Sequence, residues 1–531
     1  MKTFNFFSAI LILLLLTSTA AMAQSEGDYQ SATTAGVWSA TSTWQRFNGS
    51  SWVNALTPPT GSEFITIRST DSVYIDILVS ISDTLKNQGK LGGTLNLTIA
   101  NDGVYQHDQN NGSLPVCTWA DGSTCLVTGY VSGSKPNNAN QDFYNFEWTC
   151  RAQTQNIDLS MSGNTIRGDF RVNSTGDGIP SGRVYLTSPA AYSSPITING
   201  NIYVTGGAFA SNGSSSLASI EVYTHGNIIV TGGNFSISRG SGTDVWWYLY
   251  GDFSVTNATL QNSGGTARTQ MLIFSNTAAE QNIILNNVTY GTGSSPFTMK
   301  VDSGATLNMG TTEISSANTG SFILSDGATL ATGHPSGING SIQCTGGSNG
   351  GGNSFSPNAN YIFNGTSAQV TGTMLPTTVN DLTINNSNGV TLSQATTING
   401  VLHLVSGVFD NTIPFTLGPS GSISYEGGSL LIPVSVEKSV EVIPQSFFVD
   451  QNYPNPFNPS TQIKFGLPAE SFVTIKIYDI MGQEVATILQ ERLQAGIHNI
   501  QLSASNLCSG VYFYRIQTEY SFDTRSMVLI K

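Results

Sequence analysis

A short pattern recurs along the middle of the chain and limits what it can fold into. Ile198-Asn199-Gly200 is followed by NIYVTGGAF, Ile338-Asn339-Gly340 by SIQCTGG, and Ile398-Asn399-Gly400 by VLHLVSGVF. Gly168-DFRVNSTG, Gly226-NIIVTGGNF and Gly251-DFSVTNATL belong to the same series, as does Gln281-NIILNNVTY with its glycine replaced. Steps of 32, 26, 25 and 30 residues separate Gly168, Gly200, Gly226, Gly251 and Gln281. Ser303-Gly304-Ala305-Thr306-Leu307 returns 23 residues later as Asp326-Gly327-Ala328-Thr329-Leu330. Strand-like repeats with periods in the twenties and variable insertions describe a solenoid. The fold class they predict is all-β, with a parallel β-helix over residues 61–433.

The alternation within each copy assigns the faces. Residues two and four after the glycine are apolar: Phe170/Val172, Ile202/Val204, Ile228/Val230, Phe253/Val255 and Leu402/Leu404. They point inward and stack on neighbouring rungs about 4.8 Å away, while the residues between them point outward. Gly or Asn at the corners is expected to supply the positive φ of a tight bend. Cys344 aligns with Val204 and Leu404 and reads as a small buried core residue. Composition agrees: only 10% of residues are charged, too few for helical bundles, and aromatic residues reach 10%, too many for charge-rich disorder. A net charge of −13 argues against a nucleic-acid partner.

An open stack of rungs must be covered at its ends. Trp38, Trp44 and Trp52 lie in a Ser/Thr-rich stretch, and residues 24–60 read as an N-terminal cap; a sugar-stacking cluster is the alternative. Before it, Lys2, the apolar run Ala9 to Leu16 and Ala21-Met22-Ala23 form a signal peptide over residues 1–23, cut between Ala23 and Gln24. No later apolar stretch is of membrane-spanning length. Five cysteines follow, and Cys117 and Cys125 are candidates for a disulfide in an oxidising compartment, with Cys150 as an alternative partner.

Residues 434–446 read as a linker. Residues 447–531 then carry Asn452-Tyr453-Pro454-Asn455-Pro456-Phe457-Asn458-Pro459-Ser460-Thr461, Ile475-Lys476-Ile477-Tyr478-Asp479, Met481-Gly482-Gln483 and Ser509-Gly510-Val511-Tyr512-Phe513-Tyr514, ending in Lys531. Alternation at Val473/Ile475/Ile477 and through Val511–Ile516 indicates a small antiparallel β-sandwich. This region closely resembles the type A C-terminal sorting domain of the type IX (Por) secretion system of Bacteroidetes and related bacteria. Cys508 stands where a small residue is usual. The resemblance implies passage across the outer membrane, recognition by that machinery as partner, and a secreted or surface location. The passenger resembles secreted bacterial parallel β-helix proteins.

The passenger's chemistry is less explicit. Glycoside hydrolysis needs two carboxylates at a set separation. The Asn-Thr-Asp, Asp-Asp, Gly-His-Gly and Arg-Ile-Lys motifs of polygalacturonase-like families are absent. Arg167, Asp169 and Arg171 share one face of a strand and read as a surface charge ladder. His403 reads as an exposed rung residue. Gly346-Gly347-Ser348-Asn349-Gly350 matches GxSxG by letter, with no helix after it to form a nucleophile elbow. Asp102, His107 and Asp108 share a polar loop whose oxygens suit Ca²⁺, the one cofactor candidate. Asp244-Val-Trp-Trp-Tyr-Leu-Tyr250 places Val245, Trp247 and Leu249 inward and Trp246, Tyr248 and Tyr250 outward, an aromatic stripe able to face sugar rings. The reading is a non-catalytic adhesion or glycan-contact protein. The alternatives are a carbohydrate-active enzyme with an unfamiliar site, or a structural spacer.

Overall fold

The computed structural model describes residues 24–530 except 177–181, 190, 214–215, 263–267, 291–296, 315–318, 345–351 and 433–443. The expected signal peptide with Ala23, the Gly346–Gly350 tract, most of the expected linker and Lys531 therefore lie outside the described residues. The chain divides into two compact units, Met1–Ile432 and Pro433–Lys531.

The first unit is a parallel β-helix. Each turn places one short strand on each of three walls: Phe170–Ser174, Val184–Tyr185 and Ile196–Ile198 make one turn, and Ile202–Val204 begins the next. Pairing is in register, so Phe170, Ile202, Ile228, Phe253 and Ile283 form one inward column. All five are 0–1% exposed. Val172, Val204, Val230 and Val255 form the next column, also fully buried. The Ala305–Leu307 repeat stacks on Ala328–Leu330 as its 23-residue shift predicts, with Leu307 opposite Leu330.

The corner before these strands is held by a side-chain ladder. The Asn145 Oδ1 accepts the Asp169 N–H, and Asp169 Oδ1 accepts that of Asn201 (both 2.8 Å). Asn201 serves Asn227, Asn227 serves Asp252, and Asp252 serves Asn282, at 2.7–2.8 Å. Each rung thus satisfies a main-chain donor of the rung above it.

The glycines here are not there for positive φ. None of Gly168, Gly200, Gly226 and Gly251 has left-handed backbone. A Cβ on Gly226 would lie 2.4 Å from the Gly200 carbonyl oxygen, and one on Gly251 would lie 2.4 Å from that of Gly226. They are glycine because stacked backbones approach too closely for a side chain. The positive-φ corner is the following one, where Gly207, Gly233, Asn257 and Asn287 lie at +71°, +67°, +51° and +50°.

Two alignments made on sequence fail. Ile338–Ser341 is a single helical turn, not a rung corner, because Gly337 (φ +62°) opens a turn that the Ile342 N–H closes on the Ile338 carbonyl. Cys344 is buried (3% exposed), but beside Asn353 rather than in the Val204 column. The three tryptophans also do not form a sugar platform. Trp38 and Trp44 are 0% and 1% exposed and meet edge-to-face at 4.9 Å, leaving only Trp52 half-buried against Phe47. Tyr29–Ser31 runs parallel to Ile65–Ile67 and antiparallel to Trp44–Phe47, which pairs antiparallel with Trp52–Asn54. The N-terminal edge of the coil is closed by these strands.

The second unit packs a three-stranded antiparallel sheet (Phe448–Val449, Ser460–Leu467, Gly496–Ser503) with a four-stranded one (Ser471–Tyr478, Glu484–Leu493, Gly510–Gln517, Phe522–Leu529). Val473, Ile475, Ile477, Phe465, Tyr514 and Ile516 fill the core between them.

Two substitutions separate the roles at the corner. Gly226→Ala forces a methyl into the neighbouring backbone and is expected to destabilise the passenger by about 1–3 kcal/mol. Asn227→Ala leaves the Asp252 N–H without its acceptor and should also cost about 1–3 kcal/mol. Denaturant unfolding of the full chain, followed by tryptophan fluorescence, measures both. Near-zero effects would remove the ladder from the account of stability.

Candidate functional site

Strand Thr243–Leu249 alternates as expected: Val245, Trp247 and Leu249 are fully buried, and Trp246, Tyr248 and Tyr250 face outward. The outward rings are half-buried, not a bare stripe, because neighbouring rungs supply partners. Tyr248 lies opposite Tyr223 of strand Ala218–Thr224, and their rings stack at 4.8 Å and 10°. Tyr250 stacks on His225 at 4.9 Å and 20°. Trp246 sits between Glu221 and Met271 in register. The Tyr223 hydroxyl donates to Glu221 (3.0 Å). Burial and that carboxylate push the Tyr223 phenol up to about 12, so it stays a neutral donor. Burial raises the Tyr248 phenol as well.

Charge lies at the margins of this aromatic field. Arg268 pairs with Asp244 at 3.2 Å, and Lys300 pairs with Asp302 at 2.7 Å. Sequence reasoning found Trp246, Tyr248 and Tyr250. It missed Tyr223, His225 and Glu221, which lie one turn earlier; aligning the outward residues of the two turns would have found them. The assembled surface offers ring faces and edges, the Tyr223 hydroxyl held on Glu221, and that carboxylate, which suits a flat ligand with apolar faces and polar edges.

The other candidates are occupied elsewhere. Arg171 forms an ion pair with Asp169 and lies 4.4 Å over the Tyr203 ring. Arg167 pairs with Asp121 at 2.7 Å and also donates to the Trp119 carbonyl. Arg167 and Asp169 lie at the corner before strand Phe170–Ser174, so the three do not share one strand face as expected, and each is taken up in its own pair. His403 bonds Glu426 at 2.8 Å on the outer face.

Asp102, His107 and Asp108 do not converge on a cation. His107 is turned into the core, with Nε2 2.6 Å from the Asn111 carbonyl, and burial lowers its pKa. Burial raises the Asp108 carboxyl, but bonds from Lys86, Gln88 and Thr128 outweigh it and hold the group below the usual range. Asp102 sits in an exposed turn at φ +61° and accepts from Asn101. Among the described residues no group of three or more His, Cys, Asp or Glu side chains could hold a metal.

Cys117 and Cys125 are free thiols here, as is Cys150. The expected Cys117–Cys125 bond is therefore not formed in this structure. Cys125 is a fully buried rung residue stacked between Tyr105 and Phe146. Burial raises both thiols, that of Cys117 to about 12.

In the second unit the motif residues divide into two sets. Asn452 is buried. Its N–H donates to the Tyr514 hydroxyl (2.9 Å), and its amide donates to Thr461 Oγ1 (3.0 Å) and the Pro454 carbonyl (3.1 Å). Asn455 Oδ1 accepts the Val528 N–H at 2.9 Å. Phe457 buries its ring and joins the last strand through Val528 and Ile530. The Pro459 carbonyl accepts the Ala504 N–H at 2.9 Å, and the Tyr512 hydroxyl donates to the Cys508 carbonyl at 2.9 Å. Gly482 takes φ +79° in a turn whose N–H groups at Met481 and Gln483 point at Asp479 Oδ1.

Tyr453, Pro454, Pro456 and Asn458 are exposed, while Val511 follows Gly510 onto the outer sheet face, 43% exposed. Beside it lies a shallow cleft of about 280 Å³ lined by Tyr478, Asp479, Ile480, Gly482, Phe513, Arg515 and Thr524.

Residues 451–531 match the family model described as a secretion system C-terminal sorting domain. This segment is a type IX sorting domain. The protein is exported by the type IX system to the cell surface or beyond it, and the sorting domain engages that machinery. No curated protein and no solved structure matches the chain. Among the described residues, no helix is long and apolar enough to cross a membrane.

The two sets of motif residues should separate on mutation. Asn452→Ala removes the buried amide that bonds Thr461 and the Pro454 carbonyl while keeping the N–H that meets Tyr514, and is expected to lower the sorting domain's stability by about 1–3 kcal/mol. Tyr453→Ala, at an exposed side chain, should leave stability within about 0.5 kcal/mol. Thermal unfolding reads stability, and the amount of protein outside the cell reads export. A secretion defect in Tyr453→Ala with normal melting would mark that ring as a recognition residue.

Proposed function

We propose that the exported β-helix is a non-catalytic contact module that binds glycan at the outward aromatic face around Trp246, Tyr248 and Tyr250. The observation that carries this reading is the joining of rings from adjacent turns, Tyr223 on Tyr248 and His225 on Tyr250, into one field bordered by Glu221 and two ion pairs. Aromatic rings take up the C–H faces of a sugar, while the tyrosine hydroxyls and the Glu221 carboxylate take its hydroxyls. A rigid three-sided coil holds these groups without an ordering cost on binding. Export to the surface places the field where extracellular polysaccharide is met.

The test uses the full secreted chain, a polysaccharide panel and simultaneous measurement of retention and product release. Retention without products is expected. Trp246→Ala with Tyr248→Ala should weaken retention roughly fivefold or more, at about 0.5–1.5 kcal/mol for each ring. The two outward substitutions leave the inward column intact, so the far-ultraviolet circular dichroism should not change. Unchanged retention would sink the aromatic site, and released oligosaccharides would make the passenger an enzyme.

A further inference from the structure

We infer that the glycan met at the aromatic face carries free amino groups, one of which binds as an ammonium between the Glu221 carboxylate and the Trp246 ring. The inference rests on the glycan reading and names the class of sugar. It starts from how the carboxylates beside the rings are engaged. Asp244 pairs with Arg268 at 3.2 Å through one oxygen and accepts the Thr269 N–H at 2.7 Å with the other. Asp302 pairs with Lys300 at 2.7 Å and accepts the Ser275 hydroxyl at 3.1 Å. Asp252, at the corner beyond Tyr250, takes the Asn282 N–H at 2.7 Å as part of the side-chain ladder. Glu221 is different. Among the described residues no cation pairs with it, and its bond is to the Tyr223 hydroxyl, through Oε2. The face therefore holds a half-buried carboxylate whose charge nothing in the chain offsets.

Rings stand on every side of that carboxylate. Trp246 lies in register with Glu221 on the following turn. On the preceding turn Tyr192 bridges to Ser219, which shares the outward face with Glu221, and its ring is 65% exposed. Tyr223 follows two residues later on the same strand. These rings are not equivalent. Tyr223 and Tyr248 cover each other's faces, and Tyr250 and His225 do the same. Trp246 stacks on no other ring among the described residues, so its face remains for a ligand. Indole attracts a cation more strongly than the other aromatic rings do. A free indole face next to an unpaired carboxylate meets an ammonium in two ways, by the ring quadrupole and by a charge-assisted hydrogen bond.

Charge complementarity selects the sugar. An acidic sugar would bring a like charge to Glu221. A neutral sugar would leave the carboxylate with hydroxyls alone. An amino sugar carries a ring for the aromatic side chains and a cation for Glu221 on adjoining atoms. The net charge of −13 also draws a polycationic chain toward the protein over longer distances.

Calorimetric titration of the full secreted chain tests this with three probes of one linkage and length: oligomers of glucosamine, of N-acetylglucosamine and of glucose. The glucosamine oligomer is expected to bind roughly fivefold to tenfold more tightly than the other two. Glu221→Gln, which keeps an acceptor for Tyr223, should remove that preference, and Trp246→Ala should weaken all three. Both side chains face outward, so circular dichroism should not change. Equal binding of the three oligomers, lost in Trp246→Ala, would leave the glycan reading standing and overturn the amine. A preference that survives Glu221→Gln would trace to the net charge and would overturn the site. Binding of polylysine but of no oligomer would assign the face to a basic protein and overturn both readings, as would no binding at all.

Discussion

The structure of the passenger depends on one repeated constraint: main-chain groups of each turn must be satisfied by the turn beside it. In a parallel coil the strands are two to seven residues long, too short to hold register by themselves. The run of Asn and Asp from Asn145 to Asn282 adds a bond at a fixed corner, where a side-chain oxygen meets the next rung's N–H. A one-residue slip would turn every inward side chain outward. The ladder and the tight glycine stacking beside it both oppose that slip. The ladder admits only residues with a short oxygen acceptor, and the glycine column admits only residues without a Cβ. Sequence pairs such as Gly200-Asn201, Gly226-Asn227 and Gly251-Asp252 are the trace these two demands leave.

That trace made most of the fold legible. Stacking repeats one environment at each turn, so five separate copies reported the same inward columns, and all were found where alternation placed them. Legibility failed where a letter pattern had two physical causes. Glycine at 200, 226 and 251 looked like a bend residue, but it answers a close approach, and φ cannot be read from the residue name. Ile338-Asn339-Gly340 shares three letters with the rung corner, yet Gly337 before it takes a left-handed φ and turns the segment into a helical turn. Trp38 and Trp44 read as part of a cap, with a sugar-stacking cluster as the alternative. Whether they lie under the first strands or on the surface depends on contacts with residues 55 to 75, which local sequence does not state.

The sorting domain was legible for a different reason. Its motifs are dense because the segment from Asn452 to Phe457 has few backbone partners in a sheet and is fastened by side chains instead: Asn452 to Thr461 and Tyr514, and Asn455 to Val528. Residues with such fastening duties cannot be exchanged freely, which makes the motif conspicuous. The motif does not reveal the division between fastening residues and exposed ones. Tyr453 is 82% exposed beside the buried Asn452, and Val511 and Phe513 face out from a strand whose other face is core. The fastened set preserves the fold, and the exposed set is the proposed meeting point with the secretion machinery.

The same separation bears on the passenger's aromatic face. Stacking dictates what lies inside a rung and places almost no demand on what lies outside. A Ser, Thr or Asn satisfies an outward position as well as a ring does, and much of the coil uses them. Outward rings at 223, 246, 248 and 250 are therefore not required by the coil. Nor do they serve as filler for its core, since Val245, Trp247 and Leu249 already seal that turn. Their mutual stacking recovers part of the cost of placing aromatic area toward water, but it does so only after the rings are present. A cluster that the architecture neither needs nor forbids, gathered on adjacent turns of an exported protein, is the ground on which the proposed contact site rests.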